Sequence, residues 1–198
     1  MRFVGTTRFH RGKLPHWEVE NGRYFVTIRL ADSLPKVVLF RLREINDALS
    51  RIESNSPQFS ALQRQYFGTL EKHLDAGMGA CLMREAGPAG IVAEELMDLH
   101  DWQVAVPHYA IMPNHWHALV VPSAACTHTL AEIMKRVKGR SALRIRHLLG
   151  NTGPVWQREW FDRWIRDDAE WERTVHYIRN NPVKAKLAAQ WTDHPWTK

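Results

Sequence analysis

Cysteine is scarce in this sequence, and the features of exported or membrane-bound proteins are lacking. The 198 residues include two cysteines, Cys81 and Cys126, which have neither CxxC spacing nor a secretory context. This usage excludes a disulfide framework and a zinc knuckle, and it indicates reduced thiols. The basic N-terminus lacks the apolar stretch of a signal peptide, and no window reaches the length of a membrane span. We therefore expect a cytoplasmic protein with no membrane partner.

Repeats, low-complexity tracts and clear linkers are also lacking, and the composition is that of one globular domain. Hydrophobic residues make up 44% and charged residues 24% of the chain, and its length allows one sizeable core but is short for two. Residues 1–22 combine glycine, proline and charges with little periodicity. We predict an irregular basic arm there and a single domain over residues 23–198. The net charge of +6 favours an anionic partner, nucleic acid first.

The order of the predicted elements indicates an α+β fold. Apolar positions at steps of three or four predict helices, whereas β-branched and aromatic runs predict strands. The predicted helices cover residues 36–53, 59–74, 91–99, 129–149 and 167–181. The predicted strands cover residues 24–30, 102–107 and 109–121, with a short edge strand at 154–156. Strands 102–107 and 109–121 are joined too tightly to be anything but antiparallel neighbours, so we expect an α+β sandwich.

Two histidines, His115 and His117, stand two residues apart in an apolar, β-branched run. Strand side chains alternate between the two faces of a sheet, so both imidazoles lie on one face and Trp116 points to the other. Side-by-side imidazoles can bind a divalent metal ion. They can equally be structural groups that are satisfied by hydrogen bonds to a neighbouring strand. The pair alone leaves both interpretations open.

A tyrosine occupies an unexpected position on the last predicted helix. The buried stripe of this helix is expected at Trp171, Val175 and Ile178, which follow the helical period. Tyr177 is predicted on the opposite, polar face, together with Arg173, Thr174 and Asn181. Such a tyrosine is either an ordinary surface residue or one that is placed to react.

Three motifs together resemble those of REP-associated tyrosine transposases, which belong to the single-tyrosine HUH nucleases that act on single-stranded DNA. They are Met112-Pro-Asn-His-Trp-His117, the set Trp156-Gln157, Phe161-Asp162 and Ile165-Arg166, and Tyr177-Ile-Arg-Asn-Asn-Pro-Val-Lys184. The resemblance covers roughly residues 20–196, and the order, spacing and flanking residues of the motifs agree. It implies a ferredoxin-like α+β sandwich, with the HUH strand in a central antiparallel sheet and helices on one face.

The resemblance implies a metal-dependent DNA endonuclease and strand-transferase. Tyr177 would attack the scissile phosphate to give a 5′-phosphotyrosine and a free 3′-hydroxyl, and the covalent link would keep the bond energy for rejoining. His115 and His117 would hold Mg²⁺ or Mn²⁺, which needs oxygen ligands as well. The amide ligand of the family, one helical turn after the tyrosine, corresponds to Asn181 here, with Asn180 as the alternative. Asn is shorter than the Gln of some relatives, and the proline that follows is expected to end the helix.

Basic side chains on the predicted helix 129–149 complete the implied DNA site. They are Lys135, Lys138, Arg140 and Arg144. Without the resemblance, these residues could equally form a solvated charged face. With it, they are candidates for contacts to DNA phosphates, which give affinity and salt dependence rather than sequence choice. Trp160 or Trp164 would stack on an unpaired base of a REP-like hairpin with a short single strand. We expect a monomer, with a dimer as the alternative.

Two other functions stay open. A domesticated protein could keep the fold and the recognition of hairpin DNA with little catalysis. A metal-dependent phosphoesterase could use water as its nucleophile, which would make Tyr177 incidental. Neither rival forms tyrosine-linked DNA, and this difference separates both from the transposase.

Overall fold

The computed structural model describes residues 6–11, 15–19, 22–53 and 56–198. Its strands are β1 (Thr6–Arg11), β2 (Pro15–Val19), β3 (Arg23–Arg29), β4 (Val104–Ala105), β5 (Tyr109–Met112), β6 (His115–Pro122) and β7 (Phe161–Ile165). Its α-helices are α1 (Lys36–Leu49), α2 (Pro57–Leu74), α3 (Ala86–Met97), α4 (Leu130–Leu149) and α5 (Asp168–Lys184). Short 3-10 turns cover Leu82–Arg84, Asp98–Trp102 and Trp191–Asp193.

A five-stranded antiparallel sheet forms the centre of the fold. β3 lies between β6 and β7, and β6 also pairs with β5 and β4. The chain enters the sheet at β3, crosses through α1, α2 and α3 to the β5–β6 hairpin, and crosses again through α4 to β7. This β-α-β-β-α-β path with β3 in the middle is ferredoxin-like. The α+β class and the central antiparallel sheet that carries the histidine strand are therefore confirmed.

Helices cover both faces of the sheet. On the first face Ile28 and Trp116 pack with the apolar sides of α3 and α4. On the second face Phe25 packs with α1, α2 and α5. The sheet divides the core into two clusters. Side chains of a strand alternate between the two faces of a sheet, and both faces of β3 and β6 are buried. The expectation of helices on one face is wrong in this detail, since three helices cover the second face. His115 and His117 lie on that second face.

The predicted strand over residues 109–121 is two strands, β5 and β6, joined by a short turn that includes Asn114. The carbonyl of Asn114 accepts a hydrogen bond from the backbone N–H of Leu30 at 2.8 Å. Its side-chain amide donates to the carbonyls of Leu74 and Met78. The turn is thereby tied to the end of β3 and the end of α2. These bonds fix the position where the histidine strand begins.

Helix α5 continues through Pro182 to Lys184, whereas the sequence predicts that it ends at residue 181. Proline removes one backbone donor, but the next donors keep their bonds. The N–H of Ala185 donates to the carbonyl of Asn181 at 3.0 Å. Asn181 therefore lies within the helix and not at a frayed end. At the other end of the helix, Asp167 caps it by accepting from the N–H of Glu170 at 2.7 Å.

Smaller differences concern the sheet edges. Residues 102–107 contribute only the two residues of β4, and the predicted edge strand at 154–156 is a single bridge between Leu30 and Trp156. Strand β7 is not predicted, because charged Asp162 and Arg163 interrupt its apolar pattern. Pairing with β3 along five positions nevertheless holds it in the sheet.

The described parts of residues 1–22 form a hairpin, so the expectation of an irregular arm is wrong for them. Strands β1 and β2 pair in antiparallel fashion. The expectation for residues 1–5, 12–14 and 20–21 lies outside the described residues. The division into an arm and a domain over residues 23–198 stays a prediction. Within the described ranges, no helix has the length and apolarity needed to cross a membrane.

Candidate metal and tyrosine site

The two histidines of β6 turn the same ring nitrogen toward each other. Nε2 of His115 lies 3.0 Å from Nε2 of His117, and both side chains are buried. Each Nδ1 has its own partner: Oδ1 of Asn114 lies 2.7 Å from that of His115, and Oγ1 of Thr27 lies 2.8 Å from that of His117. Asn114 uses its amide nitrogen for two backbone carbonyls, so its oxygen must accept from His115. The lone pair of His115 is therefore on Nε2, in the space between the two rings.

Burial keeps both imidazoles neutral. It lowers the pKa of His115 to about 3. The pKa of His117 is also well below its usual value, first because of burial and then because of nearby His115 and Lys184. Neutral imidazoles present a lone pair to a metal ion without first losing a proton. The histidine pair is thus prepared as a pair of ligands at neutral pH.

Glu71 of α2 lies close to the two histidines. One ligand atom from each of Glu71, His115 and His117 lies within 4.8 Å of the others. The Glu71 carboxylate is 3.7 Å from Nε2 of His117, and the residue is 6% exposed. Its two oxygens find no hydrogen-bond partner among the described residues. Burial, and then the nearby Asp75 carboxylate, raise the pKa of Glu71 to about 8.

The sequence reasoning missed Glu71. Phe67 and Leu74 stand four residues before and three residues after it, so the helical period places all three on one face of α2. Since that face packs against the sheet, a lone acidic residue on it is a signal of a polar site in the core. The signal does not identify the partner, because the histidines come from a distant strand.

Tyr177 reaches the site from α5. Its hydroxyl lies 3.3 Å from Nε2 of His117. Its ring packs edge-on against Phe25 at 5.7 Å and against Phe67 at 5.8 Å between centroids. The expectation of an exposed polar face is wrong for Thr174 and Asn181, which are buried, whereas Arg173 is exposed and Tyr177 is half-buried. The α5 face that carries Tyr177 lies against the side of the sheet that carries the two histidines.

Asn181 follows Tyr177 by one helical turn and is 1% exposed. Both polar atoms of its side chain lack a hydrogen-bond partner within the part of the chain that the structure describes. Asn180, the alternative, differs: its amide lies 2.7 Å from Nε2 of His176 in an exposed position. Burial without a partner is costly for an amide, which makes Asn181 a candidate for binding a group from outside the chain.

These residues fit a divalent cation. Two neutral imidazoles and a buried carboxylate form a candidate triad, and its carboxylate oxygens are orphaned within the described ranges. A mixed set of nitrogen and oxygen ligands suits first-row divalent metals and Mg²⁺ alike. A second buried polar group, Asn181, is available on the tyrosine helix.

The four basic residues of α4 have different partners and do not form one exposed basic surface. Arg140 binds Glu95 at 2.7 Å and also contacts Asp98, while Arg144 binds Glu95 at 2.9 Å and pairs with Glu94. Lys138 donates to the carbonyl of Arg158 at 2.5 Å, and burial lowers its pKa to about 8. Lys135 is exposed. The ion pairs give Arg140 and Arg144 a structural role between α3 and α4, and DNA contacts by any of the four stay a prediction.

The tryptophans near the site differ in their burial. Trp156 is buried, and its indole N–H donates to Ser141 at 2.9 Å. Trp171 is only half-buried, with the Arg23 guanidinium 5.1 Å from its ring, so its expected burial is wrong. Trp160 and Trp164 are both half-buried, which leaves part of each ring accessible.

Part of the chain is similar to a known family of transposases. Residues 94–181 match the family model described as "Transposase IS200 like". This segment contains both histidines of β6, Tyr177 and Asn181. Over this segment the chain is similar to that transposase family, in keeping with the resemblance seen in the motifs.

Two individual proteins are similar to this chain. A solved structure of a REP-associated tyrosine transposase bound to a REP hairpin has a TM-score of 0.50 and 14% sequence identity, covering 96% of this chain and 81% of that one. At this identity the likeness establishes a shared fold. An uncharacterized protein of Haemophilus influenzae is 26% identical, over 41% of this chain and 56% of its own length. The chain therefore spans about half the length of that relative.

Proposed function

We propose that this protein is a metal-dependent single-stranded DNA endonuclease and strand-transferase that uses Tyr177 as its nucleophile. The observation that carries the proposal is the 3.3 Å separation between the Tyr177 hydroxyl and Nε2 of His117, inside a cluster of metal-ligating side chains. The substrate class is DNA with a REP-like hairpin and an adjoining single strand, by analogy with the transposase of the same fold.

The reaction exchanges one phosphate ester for another. The Tyr177 oxygen forms a bond to the scissile phosphorus, and the bond from that phosphorus to the 3′-oxygen breaks. The tyrosyl oxygen loses a proton and the leaving oxygen gains one. The 5′-phosphotyrosine can later be attacked by a 3′-hydroxyl, so strands are rejoined without an external energy source.

Of the four tyrosines in the chain, only Tyr177 lies at the cluster within the described ranges. Tyr24 is 2% exposed, and its hydroxyl is bound by the backbone of Val19. Burial raises the pKa of Tyr109, and it raises the pKa of Tyr66 to about 12. Phe25 and Phe67 hold the Tyr177 ring edge-on, so its hydroxyl approaches the phosphate in one orientation.

His115, His117 and Glu71 would hold Mg²⁺ or Mn²⁺, with Asn181 as a further candidate ligand. When bound, such an ion polarises the scissile phosphate and neutralises the charge that develops on it. The chain positions the ligands by a second layer of bonds. Asn114 and Thr27 orient the two imidazoles, as partners of metal-ligating histidines generally do.

The test is a search for a covalent adduct. The protein is incubated with Mn²⁺ and a labelled hairpin oligonucleotide with single-stranded flanks, and the products are separated on a denaturing gel. We expect a protein–DNA band that disappears in Tyr177→Phe, weakens strongly in His115→Ala and persists in the control Tyr109→Phe. Cleavage that survives Tyr177→Phe would favour a phosphoesterase that uses water. Tight binding without cleavage would favour a domesticated hairpin-binding protein.

A further inference from the structure

A cavity of about 110 Å³ opens beside the tyrosine site, over the end of β3. It lies between α1, α2 and the segment that leads into β7. Thr27, whose hydroxyl contacts His117, belongs to its wall, and so does Leu70, which precedes Glu71. The cavity therefore adjoins the candidate metal cluster.

Arg29 is the most unusual residue of the cavity wall. It is 8% exposed, and its Nη1 donates to the carbonyl of Leu30 at 3.3 Å and to Oγ of Ser33 at 3.2 Å. Within residues 22–53 and 56–198, no carboxylate lies at ion-pair distance from its guanidinium, and burial lowers its pKa to about 10. A buried cation without an anion is costly. An anion from outside the chain, such as a phosphate, would supply the missing partner.

The charge around the cavity strengthens this inference. Arg43 and Arg158 line it together with Arg29, whereas Glu159 is the single acidic side chain among the lining residues. Lys138 is a further basic group next to a lining residue, with its ammonium 5.4 Å from the Trp160 ring. Positive groups thus outnumber negative ones, which favours a polyanion.

The cavity also has aromatic walls. Tyr66 and Trp160 line it, and Tyr66 is held in place by stacking on Phe161, with 6.0 Å between centroids and 11° between planes. Aromatic faces beside basic groups are the usual platform for unpaired bases. Basic and aromatic side chains thus line one cavity.

We propose that this cavity binds one nucleotide of the single strand next to the scissile phosphate, with a phosphate on Arg29 and the base against Trp160 and Tyr66. The inference rests on the proposed function, because it assigns a position to the strand that Tyr177 would cut. It assigns Trp160 and Lys138 to the recognition of that nucleotide.

Binding to single strands tests the cavity without catalysis. In a Tyr177→Phe background, fluorescence anisotropy measures the affinity for a thymidine oligonucleotide and for a deoxyribose-phosphate strand of equal length that lacks bases. We expect Trp160→Leu to weaken binding of the thymidine strand by about tenfold and to leave the baseless strand unchanged. Trp160→Phe should restore most of the loss, since it keeps a ring in place.

A matched pair on α1 tests the charge. Arg43 lines the cavity, whereas Arg41, two residues earlier, is exposed and pairs with Glu44 at 3.2 Å. We expect Arg43→Gln to weaken binding of both strands by about fivefold and Arg41→Gln to change neither. Thermal unfolding of each variant confirms that it is folded.

Two results overturn the cavity assignment: equal loss for both strands in Trp160→Leu, or no loss for either. The same results leave the proposed function intact if wild-type protein still forms the tyrosine adduct. Conversely, base-dependent binding through Trp160 without any adduct would support the nucleotide-binding role of the cavity and contradict the role of Tyr177 as nucleophile. The two claims therefore fail separately.

Discussion

The hydroxyl of Tyr177 lies 3.3 Å from Nε2 of His117, although 60 residues separate the two in the chain. Helix α5 and strand β6 meet on the face of the sheet that α1 and α2 also cover. The contact joins two motifs that have no local connection in the sequence. It is the reason to treat the histidines and the tyrosine as parts of one site.

Metal binding should release a proton from Glu71. Its pKa is raised to about 8, so at pH 6.5 the carboxyl is protonated and must ionise to act as a ligand, whereas the two histidines are already neutral. We expect the apparent Mn²⁺ affinity to fall by about tenfold per pH unit below pH 8. Titration calorimetry in buffers of different ionisation enthalpy measures the released proton.

Glu71→Gln is the control for that experiment. It should bind Mn²⁺ more weakly at pH 8, with an affinity that no longer changes with pH in this range. A steep pH dependence that persists in Glu71→Gln would show that the proton comes from another group.

The two neighbouring asparagines should behave differently. Asn181 is buried and unpartnered within the described residues, whereas Asn180 is bound to His176 at the surface. We expect Asn181→Ala to weaken Mn²⁺ binding by about tenfold, in keeping with loss of one ligand or of its support. Asn180→Ala should bind as the wild type does. The reverse order would transfer the ligand role to Asn180.

Thr27 should affect metal binding indirectly, through the orientation of the His117 ring. Its hydroxyl holds Nδ1 of His117, so Thr27→Val removes the bond while nearly keeping the shape. We expect Mn²⁺ affinity and adduct formation to fall by about 10- to 100-fold. Thr27→Ser keeps the hydroxyl and should stay near the wild-type values. Equal behaviour of Val and Ser would mean that the bond does not orient the ring.

Glu95 should matter for stability more than for DNA. It is fully buried, accepts a hydrogen bond from Arg144 and forms an ion pair with Arg140, and both arginines are partly exposed. We expect Glu95→Gln to lower the free energy of unfolding by about 1–3 kcal/mol, a discounted value because water screens the arginines. Urea unfolding measures it, with Glu94→Gln as the milder control. If Glu95→Gln does not lower the stability, the structural role of these ion pairs is contradicted. Both arginines would then again be candidates for DNA contacts.

Much of the site was accessible from the sequence. The period of a strand places His115 and His117 on one face, and a motif one helical turn long places Asn181 beside Tyr177. The role of Glu71 could not be predicted in this way. It depends on the packing of α2 on the sheet face that carries the histidines, and this is a tertiary contact. The same limit explains the α4 arginines: their charge is visible in the sequence, but the acidic partners on α3 are about fifty residues away.

The fold shows the same division. The α+β class followed from alternating patterns, whereas β7 and the break at Asn114 did not. Strand β7 carries charged residues that obscure its apolar pattern, and its place in the sheet is set by the tertiary pairing with β3. The turn at Asn114 is held by bonds to Leu30, Leu74 and Met78, which no local pattern reveals.

The most direct test of the central claim is to locate the DNA link in the protein. The adduct formed with Mn²⁺ and hairpin DNA is digested with nuclease and protease, and mass spectrometry of the peptides finds the residue that carries the remaining nucleotide. We expect the nucleotide 5′-phosphate on Tyr177 alone. A link on Tyr66 or Tyr109, or cleaved DNA with no modified tyrosine, would contradict the account.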